Sequence, residues 1–554
     1  RSGGQSLVAR WYRNAVVYSL DVRTFQDSNG DGIGDLPGLV SRLDYLSRIG
    51  ATALWLNPIH PSPCQDGGYD ITDHYGIDPD LGTLGDFAEL MNLADERGLR
   101  VILDLVVNHT SFEHPWFQSA RSDPRSPYRK WYIWSEGEPP DRTEGMVFPG
   151  VQEATWTYDD SAGGWYHHRF YDFEPDLDIT NPEVREEIGR IVAFWERLGV
   201  SGFRLDAAPF VIEQIGPDIH EQRRYGFLTE LREQLSWQRG DAVFLAEAHV
   251  PTDELGRYYG TGEGAASRAQ MVFGFQLNQQ MMLALARQDA RPLAEAFERL
   301  PALPRHGQWA TFLRNHDEVD LSGLKPDERE DVFAVFGPER RHQLYERGIR
   351  RRPAPMLGDA NRLRMAYSLQ FTMPGTPVLR YGDEIGMGED LSLPERTAIR
   401  TPMQWSPAPN AGFSSTPDSR QLVAPVVTDG PYGCGQVNVT DQRRDPESLL
   451  LWFERMLHTL RECQEIGVGQ HRVLDAGLKE VFVHRADAPS GSVLFVHNLS
   501  DSPAVVGIPA SEQHEGSPVE LFQDEAYDTL DLEHLDVHPY GYRWIRLHRD
   551  HARW

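Results

Sequence analysis

Short apolar runs alternate with helical segments along the first two-thirds of the chain, and this alternation constrains the fold more than any other feature. Eight runs have the composition of strands, at positions 16–18, 53–56, 101–106, 202–205, 243–246, 271–273, 311–313 and 377–379. Most are apolar throughout, as in parallel strands that are covered on both faces. The helical pattern from Pro182 to Gly199 follows Thr180 and Asn181, a cap before a proline at the first helical position. Eight strands alternating with helices predict an α/β fold, a (β/α)8 TIM barrel.

Two regions break the alternation. The segment after the third strand is long and rich in Trp, Tyr, Pro and charge, which predicts an inserted subdomain over the barrel mouth. Towards the C-terminus, short alternating runs separated by turn residues predict an antiparallel β-sandwich. We therefore expect the catalytic barrel at 1–107 and 179–465, the insert at 108–178 and the sandwich at 466–554. A charged stretch after the seventh strand, Lys325 to Arg352, has a helical pattern.

The composition excludes several classes of function. Acidic residues number 83 against 54 basic ones, a formal net charge of −29, so neither nucleic acid nor an anionic membrane is an expected partner. The segment from Arg1 to Ser6 has no apolar core of a signal peptide, and no apolar run approaches the roughly 20 residues that span a bilayer. Three cysteines form neither a disulfide framework nor a zinc motif. We expect a cytoplasmic protein without an organic cofactor, and the sequence leaves a homo-oligomer open.

Polar residues follow the third, fourth, fifth and seventh strands at the point where each one ends. They are Asn108 and His109, Arg204 and Asp206, Glu247, and Arg314 to Asp317. The C-terminal ends of barrel strands meet at one face, where the active sites of such barrels lie. Three carboxylates at this face, Asp206, Glu247 and Asp317, are difficult to explain as core packing, because unpaired buried charges are costly.

Convergent carboxylates without a nucleotide or redox motif indicate glycoside chemistry. Cleavage with retention needs one carboxylate as nucleophile and one carboxylic acid as proton donor. His109 and His316 could donate hydrogen bonds to sugar hydroxyls. Arg204 lies two residues before Asp206 on one strand and therefore points to the same side, where it could keep that carboxylate ionised.

Four segments carry a family resemblance. Asp104–His109, Gly202–Ala207, Leu245–Ala248 and Leu313–Asp317 resemble the four signature regions of the α-amylase superfamily of glycoside hydrolases, family thirteen, and Glu174–Asp178 resembles its fifth region. The resemblance runs from Trp11 to about Trp544 and supports eight barrel strands rather than seven. Together the motifs are specific, whereas each alone would be weak.

The resemblance implies a role for each matching residue. Asp206 would be the nucleophile that forms a β-glucosyl intermediate, Glu247 the general acid and base, and Asp317 the acid that favours the distorted transition state. The sugar would be bound by a further set, which comprises Tyr69, Asp70, His109, Arg204, His316 and Arg400. Within that set, the Tyr69 ring would stack on the sugar and Asp70 would close the pocket behind it.

An aspartate-rich loop after the first strand indicates a metal. Oxygen side chains at alternate positions suit a hard cation, and the loop resembles the family's calcium loop, with ligands Asp27, Asn29, Asp31, the Ile33 carbonyl and Asp35. An empty turn is the alternative. A second calcium set resembles positions in trehalose synthases: Asn108, Asp176, Glu213 and the carbonyls of Phe210 and Val211. A polar cluster joining insert and barrel is the alternative there.

Further segments place the chain in the trehalose synthase and α-glucosidase branch. Trp165–Phe170 and Gly348–Leu357 look like trehalose synthases, whereas Arg400–Trp405 is shared with α-glucosidases. The family's Asp-Arg-Asp before that last segment is Glu395-Arg396-Thr397 here, and its fifth region carries Glu174 and Asp178 for Gln and Asn; we expect these departures near the acceptor side. The expected substrates are small α-glucosides: maltose and trehalose for a synthase, with hydrolysis of α-1,4-glucosides such as short malto-oligosaccharides, or of sucrose, as the alternative. A non-catalytic sugar-binding protein is disfavoured, since all three acids are present.

Overall fold

The computed structural model describes residues 7–213, 225–260, 267–513 and 516–549, so Arg1 to Ser6 lie outside it. Its centre is a closed barrel of eight parallel strands, which confirms the predicted fold class. In chain order they are β1 (Val17–Leu20), β2 (Ala53–Leu56), β3 (Arg100–Leu105), β4 (Gly202–Leu205), β5 (Val243–Ala246), β6 (Met271–Phe273), β7 (Gln308–Thr311) and β8 (Thr376–Arg380). Each strand pairs with the next, and β8 closes the barrel on β1 with Val17 opposite Val378.

Strand β7 begins earlier than its sequence pattern predicts. The apolar run lies at 311–313, but the strand spans Gln308–Thr311. Gln308 is buried despite its polarity, because its side-chain amide donates hydrogen bonds to the carbonyls of Arg13 and Gly467. A buried, hydrogen-bonded amide is thus part of the strand, and a search for apolar runs misses it.

Helices surround the barrel. Their bounds are Leu36–Ser41, Leu43–Ile49, Leu84–Glu96, Pro182–Arg197, Ala208–Glu213, Gly226–Gln238, Thr252–Tyr259, Phe275–Arg287, Arg291–Arg299, Pro326–Phe336, Pro353–Leu357, Ala360–Phe371, Val439–Gln442, Leu449–Glu462 and Glu465–Val468. The helix Pro182–Arg197 shows why such segments fold: Asn181 caps it through the Glu183 N–H, and Ile188, Ile191 and Trp195 recur on its buried face. In the described part of the chain, no helix is long and apolar enough to cross a membrane.

The charged stretch Lys325 to Arg352 is α-helical only over Pro326–Phe336, and a 3-10 turn follows at Arg340–His342. Gly337 and Pro338 follow and end the helix, since proline cannot continue the hydrogen-bond ladder. The chain then forms a hairpin whose strands, Gln343–Leu344 and Gly348–Ile349, build a three-stranded antiparallel sheet with Val319–Asp320. We call residues 343–349 the β7–β8 hairpin.

The insert and the C-terminal region are both built on antiparallel sheets. Between β3 and β4, the helix Pro115–Ser122 accompanies three strands, Trp134–Ser135, Trp156–Asp159 and Gly164–His167, with the last in the centre. The C-terminal sheet contains Gln470–Leu474, Val481–Ala488, Gly491–Asn498, Tyr542–Arg549 and Val519–Gln523, and a second sheet pairs Ala504–Val506 with Leu535–Val537. Phe495 and Trp544 belong to the main core that the barrel shares, whereas Leu494 and Val506 fill the core between the two C-terminal sheets.

Candidate active site

A cavity of about 530 Å³ opens at the C-terminal ends of the barrel strands. This volume is typical of small-molecule sites. Six residues predicted for the site line it: Tyr69, His109, Asp206, Glu247, His316 and Asp317. The insert contributes Met146 to Phe148, Arg169 and Phe170. A larger groove of about 1070 Å³ lies between the helices Pro182–Arg197 and Gly226–Gln238, and none of the predicted site residues lines it.

Arg204 joins two of the predicted catalytic acids. Its Nη1 lies 2.9 Å from Asp206 Oδ1 and 2.9 Å from Asp104 Oδ1, and its Nη2 lies 2.8 Å from Glu247 Oε2. The period of two along β4 places Arg204 and Asp206 on the same side, as predicted. Burial raises the pKa of Asp206, and the Arg204 guanidinium opposes that rise. One fixed guanidinium therefore positions both carboxylates and favours the ionised form of Asp206.

Tyr69 and His316 form a stacked pair in the cavity wall. Their ring centroids lie 5.4 Å apart with an interplanar angle of 7°. The Tyr69 hydroxyl donates to Asp104 Oδ2 at 2.7 Å and lies 2.8 Å from His316 Nε2, and His109 Nε2 lies 3.2 Å from the Tyr69 carbonyl oxygen. Burial lowers the pKa of both histidines, so the rings are neutral groups that can bond sugar hydroxyls.

Asp317 is surrounded by cations. Its Oδ1 accepts hydrogen bonds from Arg396 Nη1 at 2.7 Å and from Arg400 Nη2 at 3.1 Å. Burial alone would raise the pKa of Asp317, but the Arg396 and Arg400 guanidinium groups hold it below its ordinary value. Arg396 lines the cavity, whereas Arg400 is absent from the described cavity wall and lies behind Asp317. Arg400 thus contacts the acid directly, and its predicted role in binding the sugar stays a prediction.

Asp70 does not reach the cavity, which corrects the prediction that it closes the pocket. Its side chain is fully buried and accepts hydrogen bonds from the Ser62 hydroxyl and from the N–H groups of Gln65 and Asp66. Asp66 lines the cavity instead, and its Oδ1 lies 2.9 Å from Arg396 Nη2. No local signal marks Asp66, because its partner Arg396 lies far along the chain.

The cavity wall also holds four residues that the sequence analysis did not single out. Arg347, in the β7–β8 hairpin, bonds Glu318 at 2.9 Å and Asp320 at 3.3 Å, and it also donates to the Val147 carbonyl of the insert. His249 Nδ1 lies 3.2 Å from Asp320 Oδ2. Glu318 and Asp320 follow Asp317 closely in the sequence, and this acidic run was the signal that could have identified them.

The aspartate-rich loop has the oxygen chemistry of a calcium site. Asn29, Asp31 and Ile33 each donate a backbone N–H to the side-chain oxygen two residues earlier, which turns the loop around Asp27. Asp35 accepts from the N–H groups of Ser28 and Gly38. In the described part of the chain, no group of three or more His, Cys, Asp or Glu side chains is gathered as a metal site. The donor set fits a hard cation, and calcium binding here stays a prediction.

The second predicted calcium set is only partly brought together. Asn108 Nδ2 donates to Asp176 Oδ1 at 3.1 Å, and the buried Oδ1 of Asn108 has no hydrogen-bond partner among the described residues, as an oxygen ligand would. Glu213, however, pairs with Arg169 at 2.9 Å. Phe210 lines the cavity, and Val211 is buried in the same short helix. Calcium binding at this second set stays a prediction.

One departure from the family pattern, Glu174, does not lie where the sequence analysis expects it. Glu174 is fully buried, 3.7 Å from His109 Nε2, and burial together with Asp66 and Asp70 raises its pKa well above its ordinary value. It therefore lies beside the predicted sugar site, not on the acceptor side. Glu395 accepts hydrogen bonds from two tyrosines, and Thr397 is exposed.

Comparisons with known proteins agree with this geometry. Residues 20–331 and 350–468 match the alpha amylase catalytic domain. The chain is 38% identical over 557 residues to the trehalose synthase of Pimelobacter sp. (strain R48), covering 97% of this chain and 96% of that protein. It is 38% identical over 550 residues to the trehalose synthase/amylase TreS of Mycolicibacterium smegmatis (strain ATCC 700084 / mc(2)155), covering 97% of this chain and 92% of that protein.

A solved structure of an alpha-amylase is also similar to this chain. The crystal structure of the alpha-amylase from H. orenii superposes with a TM-score of 0.78 at 27% identity, covering 96% of this chain and 99% of that chain. The catalytic-domain match covers more than half of the sequence, and the barrel places three acids at one cavity. The chain therefore belongs to the alpha-amylase family and is a retaining, α-glucosyl-active glycoside hydrolase or transglycosylase.

Proposed function

We propose that this chain interconverts maltose and trehalose by intramolecular transfer of a glucosyl group. The observation that carries the proposal is a link between two elements of the cavity wall, because Arg347 joins the β7–β8 hairpin to the insert through the Val147 carbonyl. If these linked elements hold the released glucose in the cavity, it meets the glucosyl-enzyme before it meets bulk solvent. The similarity to trehalose synthases over nearly the whole chain supports the same reaction.

The first step forms a glucosyl-enzyme. A carboxylate oxygen of Asp206 bonds to the anomeric carbon of the non-reducing glucose of maltose, while the bond from that carbon to the leaving oxygen breaks. The electron pair of the broken bond stays on the leaving oxygen, which takes a proton from Glu247. Asp317, kept ionised by Arg396 and Arg400, bonds the sugar hydroxyls and favours the distorted ring of the transition state.

The second step decides the product. The released glucose turns within the cavity, and its anomeric hydroxyl attacks the carbon bound to Asp206. The carbon–carboxylate bond breaks with its electrons returning to Asp206, and the Glu247 carboxylate accepts the hydroxyl proton. Two inversions at one carbon leave the α configuration, so maltose gives trehalose. Attack by water instead would give two glucose molecules.

Calcium has a structural role in this proposal. Asp27, Asn29, Asp31, the Ile33 carbonyl and Asp35 would hold the ion, with Ser414 bonded to Asp27 behind them. None of these residues belongs to the described wall of the catalytic cavity. The ion would cross-link the loop after β1 and take no part in bond cleavage.

Proton NMR of the purified protein with maltose, and separately with trehalose, tests the proposal. We expect each sugar to yield the other with little free glucose. If maltose yields only glucose and trehalose is untouched, water is the acceptor and the chain is a hydrolytic α-glucosidase. The Glu247→Gln variant serves as the inactive control in both incubations.

A further inference from the structure

Three loops meet at one carboxylate oxygen beside the catalytic cavity. Glu395 Oε1 accepts a hydrogen bond from the Tyr171 hydroxyl at 2.7 Å and another from the Tyr345 hydroxyl at 2.6 Å. Tyr171 belongs to the insert, Tyr345 to the β7–β8 hairpin and Glu395 to the loop after β8. We call these three residues the clasp. Hydrogen bonds to a carboxylate are in general stronger than those between neutral groups.

The clasp lies directly behind the cavity wall. Phe148 packs against both tyrosines, with ring centroids 4.7 Å from Tyr171 and 4.6 Å from Tyr345. The guanidinium carbon of Arg396 lies 5.0 Å from the Phe148 ring centre. Phe148 and Arg396 line the cavity, whereas none of the three clasp residues does. A movement of the clasp would therefore displace Phe148 and Arg396 and change the shape of the cavity wall.

The backbone at the clasp is strained. Glu395 has φ = 44°, and Tyr345 and its neighbour Glu346 have φ = 56° and 57°, all in the left-handed region that non-glycine residues rarely adopt. Such conformations persist only where the surrounding contacts impose them. The hydrogen bonds to Glu395 and the packing on Phe148 supply those contacts, so loss of the carboxylate should release two loops together.

We propose that Glu395 is a positioning residue that holds the insert, the β7–β8 hairpin and the loop after β8 closed around the cavity. Closure keeps the released glucose beside the glucosyl-enzyme and keeps water away, which sets the ratio of transfer to hydrolysis. This inference rests on the proposed function and adds to it the residue that governs retention. Glu395 itself touches neither sugar nor the catalytic acids in this role.

The test is the product ratio in matched variants. With maltose as substrate, Glu395→Ala should raise free glucose relative to trehalose at least fivefold, while the rate of maltose consumption changes less than threefold. Glu395→Gln keeps an acceptor oxygen, so its ratio of free glucose to trehalose should stay close to that of the wild-type protein. Tyr345→Phe and Tyr171→Phe each remove one donor and should give intermediate ratios. Glu339→Ala is the control, because Glu339 pairs with Arg341 on an exposed face.

Labelled glucose distinguishes retention from a general loss of structure. Free ¹³C-glucose added to the reaction should stay out of the trehalose that the wild-type protein makes, and should enter it in the Glu395→Ala variant. A merely structural role would lower all rates in parallel and leave the ratio and the labelling unchanged. Folded variants with an unchanged ratio and no incorporation of label would overturn the inference.

The same incubations separate this inference from the proposed function. A wild-type protein that makes only glucose from maltose overturns the proposed function before any variant is compared. The variants are then judged by transfer to added ¹³C-glucose relative to hydrolysis. A changed ratio in Glu395→Ala supports the positioning role, and an equal ratio overturns it.

Discussion

Arg396 Nη2 lies 2.9 Å from Oδ1 of Asp66, although 330 positions separate the two residues. The same guanidinium donates to Asp317 through Nη1, so one side chain links the loop after β2 to the predicted transition-state acid. This pair, and not Asp70, marks the closed end of the predicted sugar site.

Asp66→Asn should therefore weaken sugar binding. The amide leaves the Arg396 charge only partly compensated and weakens a charge-assisted bond, so we expect kcat/KM for maltose to fall about 10- to 100-fold, a cost of roughly 1.4 to 2.7 kcal/mol. The thermal midpoint should change little. Asp70→Asn is the matched control: its carboxylate accepts loop N–H bonds, so that variant should lose stability with a smaller change in KM. If Asp70→Asn weakens sugar binding and Asp66→Asn mainly lowers stability, then Asp70 is the acid that closes the pocket.

Glu247→Gln should abolish turnover while leaving sugar binding intact. Removal of a general acid costs about 10² to 10⁴ in rate, and the amide cannot donate a proton to the leaving oxygen. Turnover is followed by NMR and maltose binding by calorimetry. A substrate whose leaving group needs no proton, such as α-glucosyl fluoride, should still form the glucosyl-enzyme. Full activity on maltose in this variant would exclude the assignment.

Arg204→Lys should impair both acids at once. A lysine ammonium cannot replace a guanidinium that contacts Asp206 and Glu247 through two separate nitrogens. We expect kcat to fall by about 10²-fold. Since Arg204 opposes the burial that raises the pKa of Asp206, weaker contact should shift the acid limb of the kcat/KM profile to higher pH. Arg185→Lys, at an ion pair on the helix Pro182–Arg197, provides the control, and an unshifted limb would contradict the electrostatic role.

Chelation should lower thermal stability and spare activity. An ion at one hundred times its Kd adds about 2.7 kcal/mol to the free energy of unfolding, and the Asp27 loop lies outside the described cavity wall. We expect EDTA to reduce Tm and added calcium to restore it, with initial rates unchanged below the transition. The Asp31→Ala variant should show the lower Tm without any response to calcium. Immediate loss of activity with the fold intact would point to a catalytic metal.

Acid should loosen the contact between the C-terminal sheet and the barrel. His484 Nε2 bonds the Thr372 carbonyl and His497 Nε2 lies 2.8 Å from the Ser368 hydroxyl, both fully buried. Burial lowers the pKa of His497 to about 3 and that of His484 well below its ordinary value. Because the folded pKa values are depressed, the stabilisation is present above about pH 6.5. It is lost as the pH falls towards the folded values.

Urea unfolding at pH 7.5 and pH 5 measures this loss. We expect about 2 kcal/mol less stability at pH 5 for each of these histidines. His497→Gln should reduce the difference in the free energy of unfolding between pH 7.5 and pH 5. His534→Gln, at an exposed position, should leave the difference unchanged. Equal stability at both pH values in the wild-type protein would show that protonation of His484 and His497 does not destabilise the fold.

Repeating patterns in the sequence predicted the barrel, because the period of strands and helices is local. The period of two also predicted that Arg204 and Asp206 lie on one side of β4, and the structure has them in contact. Strand β7 was the exception, since a buried glutamine supplies hydrogen bonds that no local pattern shows. Likewise, the charged pattern beyond Gly337 predicted a helix, whereas the structure has the β7–β8 hairpin there.

The sequence by itself determined the fold class, the family and the three acids at the barrel mouth, because short-range periodicity and contiguous motifs encode them. Only the tertiary structure decided which acid lines the cavity, since Asp66 pairs with Arg396 across the fold whereas Asp70 is bonded within its own loop. It also decided that Glu395 joins two tyrosines from distant loops. Burial and charge pairing depend on partners far along the chain, and these partners meet only when the barrel closes.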